Sequence, residues 1–148
     1  MIGAIYGDKA GSIYEYSQFS EIKSIEPEKL ILDNSFYSDD TIETIAVMDA
    51  IMNGKDYEST LKEYILKYEN YSPNFSPYFE KMFSPDTIKW AHGEKENNSK
   101  GNGAMMRISP VGYLFNTEKD VISNARAVTM TSHNTDEAID SATKIALM

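Results

Sequence analysis

Tyr37-Ser38-Asp39-Asp40-Thr41-Ile42-Glu43-Thr44-Ile45-Ala46-Val47-Met48 joins a cluster of oxygen-bearing side chains to a run that is apolar almost without interruption. Ser38 or Asp39 suits the N-cap of a helix, because its side-chain oxygen accepts from a backbone N–H that the first turn leaves unpaired. The acids suit the positive end of the helix dipole. From Ile42 to Met52 there is little polar face, so this helix is expected to be buried on most sides. A buried helix whose first turn carries adjacent carboxylates and hydroxyls needs positive charge nearby. Hard cations such as magnesium or manganese bind oxygen clusters of this kind. An ordinary N-cap with a spare acid has the same sequence, so this stretch alone leaves both readings open.

Upstream, residues 1–16 read MIGAIYGDKAGSIYEY. Gly3, Gly7 and Gly11 recur every four residues, which on a helix makes a groove of small residues suited to close packing. Asp8 lies inside the segment and Glu15 near its end; surface acids and site acids fit equally. Residues 17–36 read as a mostly polar loop, with a short helical turn near Pro27–Leu32.

Downstream, Asn53-Gly54 terminates the acidic-turn helix. A second helix is expected from Tyr57 to about Asn70, with Tyr57, Leu61, Tyr64, Ile65 and Tyr68 on one stripe. Residues 71–85 carry Pro73, Pro77 and Pro85 among aromatics and read as turns and short helical pieces. Thr87 to His92 is a further helical turn around Trp90, with His92 in a structural role.

The second informative stretch follows the loop at residues 93–100 and reads Gly101-Asn102-Gly103-Ala104-Met105-Met106-Arg107-Ile108-Ser109-Pro110. Its glycines let backbone approach a ligand, and a helix starting near Ala104 would aim free N–H groups at the loop, an arrangement that suits phosphates. The spacing is not that of a P-loop or a Rossmann fingerprint. Asn116-Thr117 caps a helix over Glu118 to about Met130. His133 then stands just before a last helix capped by Asn134 or Thr135, where a helix N-terminus keeps an imidazole neutral. Hydrogen bonding to backbone and a ligand role fit His133 equally. The last helix, Asp136 to Met148, has no stop signal. It reads as a break within a longer protein, with apolar surface suited to self-association as a two-fold dimer.

The 148 residues suit one domain, and 41% hydrophobic with 25% charged residues is the balance of a globular protein. A net charge of −9 with no basic stripe excludes nucleic acid as the expected partner. The absence of cysteine removes disulfides, zinc–thiolate sites and thiol nucleophiles. No apolar run approaches the ~18 residues of a membrane span, and the start lacks a signal-peptide layout; a cytoplasmic location is the expectation.

Four motifs stand in one order: Gly3-Ala4…Gly7-Asp8…Gly11…Glu15, then Ser38-Asp39-Asp40-Thr41, then Gly101 to Arg107 with Pro110, then Thr131-Ser132-His133. In this order the chain resembles the ADP-ribosylglycohydrolase family, over about the first half of that family's usual length. The resemblance implies an all-α, compact multi-helix bundle, here a single partial domain over 1–148. It implies a hydrolase that removes ADP-ribose from an acceptor with a pair of magnesium or manganese ions. Ser38, Asp39 and Asp40 match its metal ligands, with Ser38 in place of the more usual threonine. Glu15 matches an acid over the metal site, and with Asp39 and Asp40 makes the implied catalytic set. Gly101, Asn102, Gly103 and Ala104 match the loop that meets the ADP-ribose diphosphate, and His133 a histidine beside bound ADP-ribose. The family's later Asp-x-Asp-Thr motif is absent; after His133 the acids are Asp136, Glu137 and Asp140. That departure leaves three options: a fragment, ligands from another chain, or lost metal binding. The alternative functions are accordingly an inactive ADP-ribose-binding module or a structural fragment.

Overall fold

The computed structural model describes residues 2–14, 30–72 and 81–148. Among these are eight helices: α1 (Ile2–Gly11), α2 (Asp39–Asn53), α3 (Tyr57–Tyr68), α4 (Pro85–Ala91), α5 (Gly103–Met106), α6 (Ser109–Leu114), α7 (Glu118–Met130) and α8 (Asp136–Leu147). Their only strand-like pairing is an isolated bridge between Asn98 and His133. The protein is all-α, as expected.

Local chemistry sets the helix ends. Ser38, Asp56, Ser84, Thr117 and Thr135 each accept from a backbone N–H in the first turn that follows, satisfying donors the helix itself cannot. Gly54 stops α2 in the left-handed region at φ 62°, where a side chain is costly. α7 has the expected bounds, and α8 is capped by Thr135 rather than Asn134. α3 ends at Tyr68, before Asn70. The helix expected near Ala104 is a single turn, and Pro110 in the first turn of α6 opens a separate helix that the sequence reading did not anticipate.

α2 is the central element. It packs on α1, α3, α5 and α6, while α8 packs on α5, α6 and α7. Seven α2 residues are buried: Thr41, Ile42, Glu43, Thr44, Ala46, Val47 and Ala50. Around them lie Leu61 and Ile65 of α3, Trp90 of α4, Val111 of α6 and Val128 of α7. Of the expected α3 stripe, Leu61 and Ile65 are fully buried and the tyrosines pack at the edge of the core.

Close helix packing sits elsewhere than expected. A Cβ added at Gly3, Gly7 or Gly11 would meet nothing within 4 Å, so the described residues place no neighbour in that groove. A Cβ at Gly112 would instead lie 2.1 Å from the backbone oxygen of Ala146. The absence of a side chain at Gly112 is what lets α6 and α8 touch. α8 buries Ala142 and Ala146 there and leaves Ile145, Leu147 and Met148 exposed. No described helix is long and apolar enough to cross a membrane. The turn expected at Pro27–Leu32 and the proline-rich segment fall largely outside the described residues.

Candidate functional site

The first turn of α2 is held from below by α1. Asp8 Oδ2 accepts from the Ser38 backbone N–H at 2.9 Å and from Thr41 Oγ1 at 2.5 Å, and Asp8 Oδ1 accepts from Ser38 Oγ at 2.5 Å. Asp8 is therefore neither a surface acid nor part of a packing groove; it clamps the acidic turn. Ser12 adds a second tie, accepting from the Phe36 N–H at 3.0 Å. Ser38 is fully buried, and its Oγ also accepts from the Asp40 N–H and lies 3.1 Å from Asp40 Oδ2.

Burial raises the Asp40 carboxyl above the usual carboxylate range, and the neighbouring charge of Asp8 adds to that rise. Partly buried carboxylates of like charge are costly to ionise together and are relieved by a cation. The oxygens of Ser38, Asp39 and Asp40 are the hard donors magnesium or manganese prefers. Three side chains of the His, Cys, Asp or Glu type do not converge anywhere among the described residues. The turn therefore supplies donors of the kind a hard cation takes, without a complete set of three such side chains among the described residues.

One turn further along α2, Glu43 points into the core and meets Arg107. Glu43 Oε2 accepts from Arg107 Nη1 at 2.5 Å, and both side chains are almost wholly buried. Burial pushes the Glu43 carboxyl up, and the guanidinium pulls it back. Arg107 Nη2 donates to Ser132 Oγ at 2.6 Å, to Thr131 Oγ1 at 3.2 Å and to the Val128 carbonyl at 3.4 Å. One arginine thereby joins α2, the end of α5 and the end of α7. Ser132 Oγ lies 2.7 Å from His133 Nδ1. The imidazole is pushed down to about 4, first by burial and then by the charge of Arg107, so it is neutral near pH 7.

The glycine loop closes over this ring. A Cβ on Gly103 would lie 2.9 Å from His133 Cε1 and 3.3 Å from Nε2; the ring occupies the space that glycine vacates. The preceding loop is pinned to the same residues. Ser99 donates its N–H to the Ser132 carbonyl at 3.0 Å, and Asn134 donates to the Asn97 carbonyl at 2.8 Å.

These elements enclose a cleft lined by Asp39, Gly101, Asn102, Gly103 and His133, with Thr87 and Trp90 from α4. Its volume is about 210 Å³. Sites that enclose a drug-sized ligand hold ~300–1,000 Å³, so this cleft is smaller than one that encloses such a ligand whole. Ser38 and Asp40 stand beside Asp39 without lining the cleft, and Ala104 is buried beneath the loop. Glu15 lies outside the described residues. His92, read as structural, pairs with Glu69 at 2.9 Å.

Glu43 was not singled out from sequence, and Arg107 and Ser132 stood within the quoted motifs without a role of their own. Glu43 is a charge set among the apolar residues that follow the acidic turn, and Arg107 follows two methionines. Charges in such positions are seldom buried without a partner, and that was the available signal.

The family model for ADP-ribosylglycohydrolases matches residues 1–148. The chain is similar to the ADP-ribosylhydrolase ARH3 of Mus musculus, with 23% identity over 90% of this chain and 42% of that protein. The chain thus spans less than half the length of this curated relative. It is a member of the ADP-ribosylglycohydrolase family.

Proposed function

We propose that this chain forms the ADP-ribose-binding and metal-binding portion of a hydrolase that cleaves the glycosidic bond between ADP-ribose and an acceptor. One observation carries the reading: Asp39, the Gly101–Gly103 loop and His133, far apart in sequence, line a single cleft. In this reading the loop meets the diphosphate, and His133, neutral near pH 7, lies beside it. Ser38, Asp39 and Asp40 hold magnesium or manganese. Such a metal pair, when bound, orients ribose hydroxyls and a water and stabilises developing charge. Asp8 keeps the turn in place through three hydrogen bonds. Glu15 or a metal-held carboxylate, by resemblance, handles the proton.

The test is release of ADP-ribose from serine- and arginine-linked peptides in the presence of magnesium. Turnover that disappears in a folded Asp39→Ala/Asp40→Ala double variant supports the reading. Full turnover in that variant overturns it.

A second reading, an ADP-ribose binder without turnover, is favoured by the ligand set: among the described residues no three metal-binding side chains of the His, Cys, Asp or Glu type converge. Binding that is indifferent to chelator, with no release from either peptide, would support it. Two-fold self-association belongs to the same proposal. It is supported by the exposed Ile145 and Leu147 of α8 and is tested by light scattering.

A further inference from the structure

We propose that Arg107 and Ser132 are positioning residues that fix His133 as its Nε2–H tautomer, so that the imidazole offers the cleft one hydrogen-bond donor and no acceptor. The ligand atom it selects is an oxygen that accepts, such as a phosphate oxygen. The identity of that ligand rests on the function proposed above; the tautomer does not.

The direction of the hydrogen bonds carries the argument. A guanidinium only donates, so at the 2.6 Å contact Ser132 Oγ must accept from Arg107 Nη2. The Ser132 proton then needs an acceptor of its own, and the other polar partner found for this hydroxyl is His133 Nδ1 at 2.7 Å. If Nδ1 carried the proton instead, Ser132 Oγ would receive two donors and its own O–H would be stranded. Ser132 is 6% exposed, and a buried donor left unpaired costs about 1–3 kcal/mol. An N–H at Nδ1 would also bring a positive dipole end toward the guanidinium. Both effects favour hydrogen on Nε2.

The guanidinium cannot readily turn away. Its Nη1 donates to Glu43, while Nε is buried without a partner among the described residues. Thr131 Oγ1 accepts from Arg107 and passes its own proton to the Val128 carbonyl at 2.8 Å. The chain of donors therefore runs one way, from Arg107 through Ser132 to the ring. At the ring's other side, Nε2 faces the glycine loop: it would lie 3.3 Å from a Cβ on Gly103 and 4.0 Å from one on Gly101. The fixed donor thus stands at the loop assigned above to the diphosphate.

The test is long-range proton–nitrogen correlation spectroscopy on the 15N-labelled chain. There are two histidines, His92 and His133, so His92→Gln assigns the signals. The wild-type chain is expected to carry hydrogen on Nε2 of His133. Ser132→Ala should give a mixture of tautomers, Ser132→Thr should restore the wild-type form, and Thr131→Val should leave it unchanged. A wild-type ring protonated at Nδ1, or an unaltered tautomer in a folded Ser132→Ala chain, overturns the proposal. An ADP-ribose titration of the same samples separates it from the functional reading. Ser132→Ala is expected to weaken binding by the factor to which the Nε2–H form is depopulated, about twofold for an even mixture. A ring with hydrogen on Nε2 in a chain that ignores ADP-ribose upholds the tautomer and sinks the function. Binding of ADP-ribose by a ring in the other form does the reverse.

Discussion

Arg107 Nη1 donates to Glu43 Oε2 at 2.5 Å across 64 residues of sequence, with side chains 2% and 3% exposed. The pair ties the helix that carries the acidic turn to the end of the glycine loop, and through Ser132 to His133. It fixes the spatial relation between the two halves of the cleft.

Removing one member of such a pair strands the other charge in the core. Arg107→Met is expected to lower stability by about 3–5 kcal/mol. Replacing both, as Glu43→Leu/Arg107→Met, should recover most of that loss, because no buried charge is left behind. Urea unfolding of the two variants measures both. A double variant as unstable as the single one would mean that the pair does more for stability than neutralise itself.

Two glycines should respond to alanine in opposite directions. At Gly112 the new Cβ would lie 2.1 Å from the Ala146 backbone oxygen, so α6 and α8 must separate, at a cost of about 3 kcal/mol or more. At Gly7 the Cβ meets nothing within 4 Å among the described residues. Alanine there removes a flexible residue from the interior of α1 and should stabilise by about 0.5–1 kcal/mol. Thermal unfolding distinguishes the two. A neutral Gly112→Ala would place α8 further from α6 than described.

The same glycines show where the sequence was legible. Spacing at Gly3, Gly7 and Gly11 announces a capacity for close approach, but only the path of the rest of the chain decides whether a neighbour arrives. Gly112 carries no periodic signal, yet α8 packs on it. Helix ends with a side-chain cap, such as Ser38, Thr117 and Thr135, were readable because the cap is local chemistry. α5 and α6 are one short turn and a second helix begun by Ser109-Pro110, too short for periodicity to mark. In the site, Asp39, the glycine loop and His133 belong to compact motifs and could be named. The Glu43–Arg107–Ser132 connection spans three elements, and Asp8 reaches the acidic turn across 30 residues; such contacts follow from topology.

Acid should act on His133 with a definite sign. Its folded value is lowered to about 4 by burial and then by Arg107, whereas an unfolded histidine titrates near 6.5. Between these values the unfolded chain binds more protons. The contribution of His133 is therefore complete above about pH 6.5 and is lost as pH falls toward 4. Asp40 and Glu43 are raised, so their protonation acts in the opposite direction. Comparison with His133→Gln isolates the histidine. The stability difference, wild type minus variant, should shrink steadily from about pH 7 to pH 4; a difference independent of pH would contradict the burial of the ring.

The central claim is that the acidic turn and the glycine-loop cleft form one ADP-ribose site. Calorimetric titration of ADP-ribose into the chain, with magnesium and again with excess chelator, tests it most directly. The account predicts saturable binding in magnesium that weakens by about tenfold or more on chelation, and equally in Asp40→Asn, a loss of about 1.4 kcal/mol or greater. No binding at millimolar ADP-ribose, or binding that neither the chelator nor the substitution alters, would contradict it.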